Sequence, residues 1–105
     1  MATAFPTYST FDNPVVALVD FAALDDMTHN LPLLAANSAR HWALIRNDTD
    51  TDLPYAEGWT ARPTLYTDIL PAGGRLELTG PRAAVAINAY LTSTPSGRIV
   101  TTERL

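Results

Sequence analysis

Three aspartates at alternate positions are the residues of this sequence that most resemble a cation site. Asp48, Asp50 and Asp52 have the spacing that opens an EF-hand calcium loop, where carboxylate oxygens bind the cation. Such a loop also needs glycine at its sixth position and glutamate at its twelfth, but this chain has Leu53 and Trp59 there. We therefore predict a solvated turn between strands, with a weak surface calcium site as the alternative.

Histidine and cysteine offer little to a transition metal. The chain has two histidines, His29 and His41, and no cysteine. A cupin-like centre would need several histidines on adjacent strands, and a thiolate site would need cysteine. These residues are read as a loop residue and a strand-start residue, so we predict no metal and no cofactor.

The residues that could support catalysis do not form a recognisable set. No serine lies in a Gly-x-Ser-x-Gly elbow, and Gly73-Gly74 lacks the lysine and helix of a phosphate loop. Glycoside hydrolysis would require two paired carboxylates, and nothing in the sequence selects a pair. We predict that the protein is not an enzyme; a small β-barrel enzyme remains the alternative, and it would need titratable groups converging in a deep pocket.

Charge and hydropathy patterns argue against two classes of partner. The formal net charge is -4, and the seven basic residues, all arginines, are scattered along the chain, whereas a nucleic-acid-binding surface normally clusters them. The longest apolar stretches are interrupted by Asp20, Asp25 and Asp26, far short of a membrane span. We expect neither nucleic acid nor a membrane as a partner.

Short strand patterns recur after residue 30 at roughly ten-residue spacing, separated by turn residues, as in sandwiches and barrels. Segments 30–34, 41–46, 53–56, 64–70, 75–79, 83–91 and 98–104 fit strands, with Pro54 indicating an edge or irregular piece. Residues 47–52 read as a polar turn. The pattern predicts an all-β fold: a small antiparallel β-sandwich or barrel of about seven or eight short strands, forming a single domain over residues 14–105.

Residues 14–24 allow two interpretations. Asn13 followed by Pro14 is a good helix start. Against this, the segment is rich in β-branched valine, and Val15, Ala17 and Val19 alternate onto one face together with the residues at 21 and 23. A strand is the favoured interpretation.

Four aromatic residues are candidates for an interface. Phe5, Tyr8 and Phe11 lie in residues 1–13, which we predict to be an extended N-terminal arm. The arm either covers the open end of its own core or clasps a neighbouring subunit. Trp59 lies in a polar loop, where it could anchor an interface, stack on a sugar or fold back over the rim of the core.

Four segments, taken in order, resemble a group of small bacteriophage virion proteins. They are Leu-Leu-Ala-Ala-Asn-Ser-Ala-Arg at 33–40 leading into a strand, Asn-Asp-Thr-Asp at 47–50, Leu-Pro-Ala-Gly-Gly-Arg-Leu-Glu-Leu at 70–78, and Gly-Arg-Ile-Val-Thr-Thr-Glu at 97–103. The resemblance covers about residues 31–105 and is a pattern of turns and strands. Residues 1–30 depart from it, as does the additional threonine before Glu103.

The resemblance implies a structural protein of the virion: a head decoration protein, or another head or tail accessory. Its expected partners are the major capsid protein or other virion subunits, and its expected location is the virion. Because homo-oligomers close on symmetry axes, a trimer on a capsid three-fold is the first expectation. The alternative from a different class is a carbohydrate-binding or host-attachment module, with a shallow groove formed by Trp59 and Tyr55 or Tyr66.

Overall fold

The computed structural model describes residues 14–105, and this part of the chain is built from eight β-strands. The strands are β1 (Val15–Leu18), β2 (Asn30–Leu34), β3 (Trp42–Thr49), β4 (Leu53–Glu57), β5 (Asp68–Leu70), β6 (Arg75–Thr79), β7 (Ile87–Tyr90) and β8 (Gly97–Arg104). Short 3₁₀ turns lie at Phe21–Ala23 and Gly80–Ala84. The predicted arm, residues 1–13, falls outside the described residues.

The strands form two antiparallel sheets. The first sheet has the order β1-β8-β3-β6 and the second the order β2-β7-β4-β5. The predicted all-β antiparallel sandwich is thereby confirmed. The alternating pattern of the sequence explains it, because every second residue of a strand points to the same face and can be buried between the sheets.

The core lies between the two sheets and receives side chains from both. Its members are buried apolar residues: Leu31, Leu33, Leu34, Ala43, Ile45, Leu53, Tyr55, Leu70, Leu78, Ala83, Ile87, Ala89, Leu91 and Ile99. Each fully buried leucine or isoleucine contributes about 1.5–3 kcal/mol relative to exposure. This burial is the main force that holds the sheets together.

Strand β3 is longer than its sequence pattern predicts. It continues through Asn47, Asp48 and Thr49, so the predicted polar turn is wrong for these three residues. The physical reason is that the Asn47 side chain is fully buried but has every polar atom paired. Its Nδ2 donates to the carbonyls of Thr51 and Leu70 at 2.9 and 3.0 Å, and its Oδ1 accepts from the Thr49 hydroxyl at 2.6 Å.

Replacing Asn47 with alanine is expected to lower the free energy of unfolding by about 2 kcal/mol, since it removes the buried side-chain hydrogen bonds to the carbonyls of Thr51 and Leu70. Urea unfolding would measure this. The matched control is Asn88→Ala on half-buried β7, where water can replace the side chain and the loss should stay below about 1 kcal/mol. Equal losses in the two variants would show that the burial of Asn47 does not increase its contribution to the free energy of unfolding.

Three further strands differ from expectation. Strand β7 covers only Ile87–Tyr90 of the predicted 83–91, because Gly80–Ala84 forms a 3₁₀ turn. Strand β4 is not an edge strand, because it pairs with β5 on one side and β7 on the other. Pro54 is tolerated since the pairing with β7 starts only at Tyr55. Strand β5 covers only Asp68–Leu70 of the predicted 64–70, because Arg62 and Leu65 bond each other across a tight loop.

A buried arginine closes one end of the sandwich. The Arg40 side chain is 1 % exposed, and its Nη1 lies 2.8 Å from the Glu103 carboxylate of β8. The same guanidinium donates to the carbonyls of Ala35, Ala83 and Val85. Arg40 therefore joins the β2–β3 connection, the second 3₁₀ turn and the last strand.

The bend that carries Arg40 is shaped by Asn37. The Asn37 Oδ1 accepts from the Ala39 amide at 3.0 Å, and its carbonyl accepts from the Arg40 amide at 3.1 Å. This Asx turn reverses the chain between the two sheets. It aims the Arg40 side chain toward the protein interior.

Candidate interaction surface

The exposed strand β1 is the most unusual surface of the described residues. All four of its residues are exposed, with Val16 and Leu18 at 63 % and 65 %. The favoured strand interpretation of residues 14–24 holds for residues 15–18 only, and Val15 and Ala17 are both exposed. Of the residues that follow in this segment, Val19, Phe21 and Leu24 pack against the core.

The sheet register shows what surrounds the exposed side chains. Val16 lies opposite Thr102 of β8 and Leu18 opposite Val100. On the other side of β8, Thr102 lies opposite Leu44 of β3. Since alternate residues share a face, Val16, Leu18, Val100 and Leu44 form one apolar strip on the outer face of the first sheet, which we call the β1 strip.

A polar frame borders the β1 strip on β3, β6 and β8. Trp42 of β3 donates from Nε1 to the Glu77 carboxylate at 2.7 Å, and the Arg104 guanidinium lies 5.3 Å from the centre of its ring. Farther along β3, Arg46 and Asp48 form an ion pair at 2.8 Å. An apolar centre with a charged, aromatic-containing margin is the usual composition of a protein–protein contact surface.

The interface candidates from the sequence have different outcomes. Phe5, Tyr8 and Phe11 lie outside the described residues, so their role stays a prediction. Trp59 is 39 % exposed in the β4–β5 loop, and its backbone carbonyl accepts from Asn88 Nδ2 at 3.2 Å. Its loop is thus anchored to β7 while much of the indole faces solvent.

The groove expected of a carbohydrate-binding module would lack one of its proposed walls. Tyr55 is only 5 % exposed and belongs to the core. Tyr66 is half-buried. Of the tyrosines proposed to flank Trp59, only Tyr66 has surface left for stacking on a sugar ring.

The aspartates of the calcium-like spacing have separate structural tasks. Asp48 pairs with Arg46, Asp50 Oδ1 accepts from the Ser96 amide at 3.1 Å, and Asp52 Oδ1 accepts from the Ala72 amide at 2.9 Å. Over residues 14–105 there is no group of three or more potential ligands placed to hold a metal ion. Asp48 thus pairs along its own strand, whereas Asp50 and Asp52 each bond the amide of a distant loop.

The two histidines have different structural surroundings. His29 has a positive φ of 60° and packs edge-on against the Tyr90 ring, with centroids 5.6 Å apart. Its backbone carbonyl accepts from the Leu91 amide. His41 is an exposed residue immediately before β3.

Hydrogen bonding and burial shift three pKa values in the described part of the chain. The amides of Thr28 and Met27 lower the pKa of the Asp25 carboxyl. Burial raises the pKa of Tyr55, with nearby Asp68 and Glu57 adding to the effect. The Glu57 carboxylate, which bonds the Arg82 guanidinium at 2.6 and 2.9 Å, raises the pKa of Arg82.

Residues 14–105 enclose no pocket. They also contain no helix with the length and apolar character needed to cross a membrane.

Strand β1 shows what sequence reasoning missed about the candidate surface. All four of its residues are apolar, and both faces of the strand are exposed. The available signal was its composition, an uncharged Val-Val-Ala-Leu segment, which suits an interface as well as a core. Comparison with known proteins adds no guide, since no family model, curated protein or solved structure matches this chain.

Proposed function

We propose that the protein is a structural accessory subunit of a virion, a capsid decoration or stabilising protein that binds the assembled shell. The observation that carries the proposal is the β1 strip, because an apolar strip with exposed Val16 and Leu18 and a polar margin is suited to association. The resemblance of the turns and strands to small phage virion proteins supports the choice of partner.

The residues of the resembling segments have clear structural tasks, which supports a function in shape and adhesion. Arg40 and Glu103, from the first and last segments, form the buried ion pair. Asn47, from the second, bonds across to the Leu70 carbonyl of the third. These segments build a compact body that holds its outer faces in place.

The proposed mechanism is mass action. A subunit that binds the assembled shell and not its free components lowers the free energy of the assembled state by RT ln(1 + [L]/Kd), about 2.7 kcal/mol at a free concentration one hundred times Kd. Binding of this kind needs adhesive surface and no chemistry. The β1 strip supplies such a surface.

The experiment uses the virions whose genome encodes the chain. Purified chain is mixed with shells that lack it, and co-sedimentation and shell melting are measured. We expect the chain to co-sediment with the shells and to raise their melting temperature. Leu18→Asp should weaken shell binding at least tenfold and reduce the rise in melting temperature. The control Leu65→Asp, which alters a comparably exposed apolar residue away from the strip, should change neither. Absence of the chain from the virion, or glycan binding without shell binding, would refute the proposal.

Deleting residues 1–13 tests the predicted arm. The described core lies between Val19 and Ile99, so the free energy of unfolding of the truncated chain should stay within about 1 kcal/mol of the full-length value, as expected for changes away from the core. Shell affinity should fall, because three aromatic side chains are lost from the proposed contact. Unchanged shell binding by the truncated chain would remove the arm from the interface.

A further inference from the structure

The four sheet edges of the sandwich differ in how they are protected from pairing with another chain. Edge strand β6 exposes Arg75 and Glu77, β2 contains Pro32 and an irregular register, and β5 is three residues long and carries Asp68. Charges, proline, bulges and shortness are the usual means of blocking edge pairing. Strand β1 is also short, at four residues, but it has no charge, proline or bulge between Val15 and Leu18.

We propose that β1 is a homodimerisation edge, at which two copies of this chain pair antiparallel about a two-fold axis at Ala17. Within the described residues, β1 pairs with β8 on one side and with no strand on the other. The pairing would join two first sheets into one continuous sheet of eight strands.

The hydrogen-bonding pattern identifies which backbone groups face the open edge. The Val19 amide donates to the Ile99 carbonyl at 2.9 Å, in the same register that places Ala17 opposite Thr101. In an antiparallel pair, hydrogen-bonded and non-hydrogen-bonded residues alternate. Ala17 therefore bonds β8, whereas the N–H and C=O groups of Val16 and Leu18 point away from β8 toward the open edge.

Only one two-fold register uses all four of these groups. With the axis at Ala17, Val16 of one copy exchanges two hydrogen bonds with Leu18 of the other, and the symmetric pair does the same. An axis at Val16 would place Leu18 opposite Pro14, which has no N–H to donate. An axis at Leu18 would place Val16 opposite Asp20, whose backbone carbonyl already accepts from the Ala23 amide.

The side chains favour the same register. Val16 and Leu18 of the two copies would lie beside each other on the outer face and extend the β1 strip across the axis, whereas Ala17 is small enough for the close approach of a non-hydrogen-bonded pair. Strand β1 carries no charge, and the nearest acidic residue, Asp20, would lie at opposite ends of the paired strands. Within β1 the self-contact therefore opposes no like charges, which favours a second copy over a charged partner.

Crosslinking provides the test, because the chain has no cysteine of its own. The full-length Ala17→Cys variant should form a disulfide-linked dimer on mild oxidation, since residue 17 faces its own copy across the axis. The control Leu65→Cys, equally exposed but far from β1, should crosslink at least tenfold less. A ladder of crosslinked species, or equal crosslinking of both variants, would overturn the proposal.

Charge complementation gives an independent readout by analytical ultracentrifugation. Wild-type chain should show a reversible monomer–dimer equilibrium, and Ala17→Asp and Ala17→Arg should each dimerise at least tenfold more weakly. Mixing these two variants should restore dimers, because opposite charges then meet at the axis. A wild-type chain that stays monomeric at several hundred micromolar, forms a trimer, or shows no rescue on mixing would refute the two-fold pairing.

Discussion

Replacing Arg40 with alanine will lower the free energy of unfolding by about 3–5 kcal/mol, the loss typical of removing one partner from a buried ion pair. The guanidinium is 1 % exposed, and its removal leaves the carbonyls of Ala35, Ala83 and Val85 without their donor. Glu103, at 21 % exposure, keeps limited access to water. Urea unfolding followed by tryptophan fluorescence will measure the loss as a lower midpoint.

Arg46→Ala is the matched control for this prediction. It removes the same charge from an ion pair with Asp48, but the two side chains are 40 % and 35 % exposed, so the expected loss is below about 0.5 kcal/mol. Arg40→Lys should lie between wild type and Arg40→Ala, because an ammonium group cannot match the planar fork of the guanidinium. If Arg40→Ala and Arg46→Ala have the same stability, the Arg40 network is not the clamp described above.

Gly97→Ala is the second variant with a large expected effect, because two costs act on one residue. Gly97 begins β8 with φ of 103°, a backbone conformation that costs an alanine about 1–3 kcal/mol. A Cβ atom at this position would also overlap the backbone carbonyl oxygen of Asp48 on β3, and such overpacking costs about 1–3 kcal/mol more. We expect the variant to unfold at markedly lower urea concentration.

Gly73→Ala separates the two costs. Gly73 also has a positive φ, 79°, but a Cβ there would meet no atom within 4 Å, so only the conformational cost applies. The difference in unfolding free energy between the two variants therefore measures the overlap with β3. Equal losses would mean that the close approach of Gly97 to Asp48 carries no stability cost.

Much of the sandwich could be predicted because strand patterning is local. Alternation over 75–79 and 83–91 indicated one buried face. Leu78, Ile87, Ala89 and Leu91 are buried, whereas Leu76 and Val85 are half-buried and residues 83–84 lie in a 3₁₀ turn. The turn at 71–74 could also be predicted, since proline and glycine restrict the chain without help from distant residues. Within this turn, the Gly74 amide donates a hydrogen bond to the Pro71 carbonyl.

The errors occurred where distant contacts overrule local pattern. Asparagine is a residue typical of turns. The Asn47 side chain is nevertheless buried, because it donates a hydrogen bond to the carbonyl of Leu70, far along the chain. The candidate site follows the same rule. Whether Val16 and Leu18 are buried depends on what covers β1, and within the described residues no second-sheet strand does so.

The fold class follows from the local pattern of residues, since period-two alternation and turn residues act over a few neighbouring positions. The contact of Arg40 with Glu103, the position of β1 at an open edge and the exposure of individual side chains follow only from the folded arrangement. These depend on strand order and register, which are set by the packing of side chains distant in sequence. The β1 strip, and with it the proposed function and the proposed dimer, belongs to this second group.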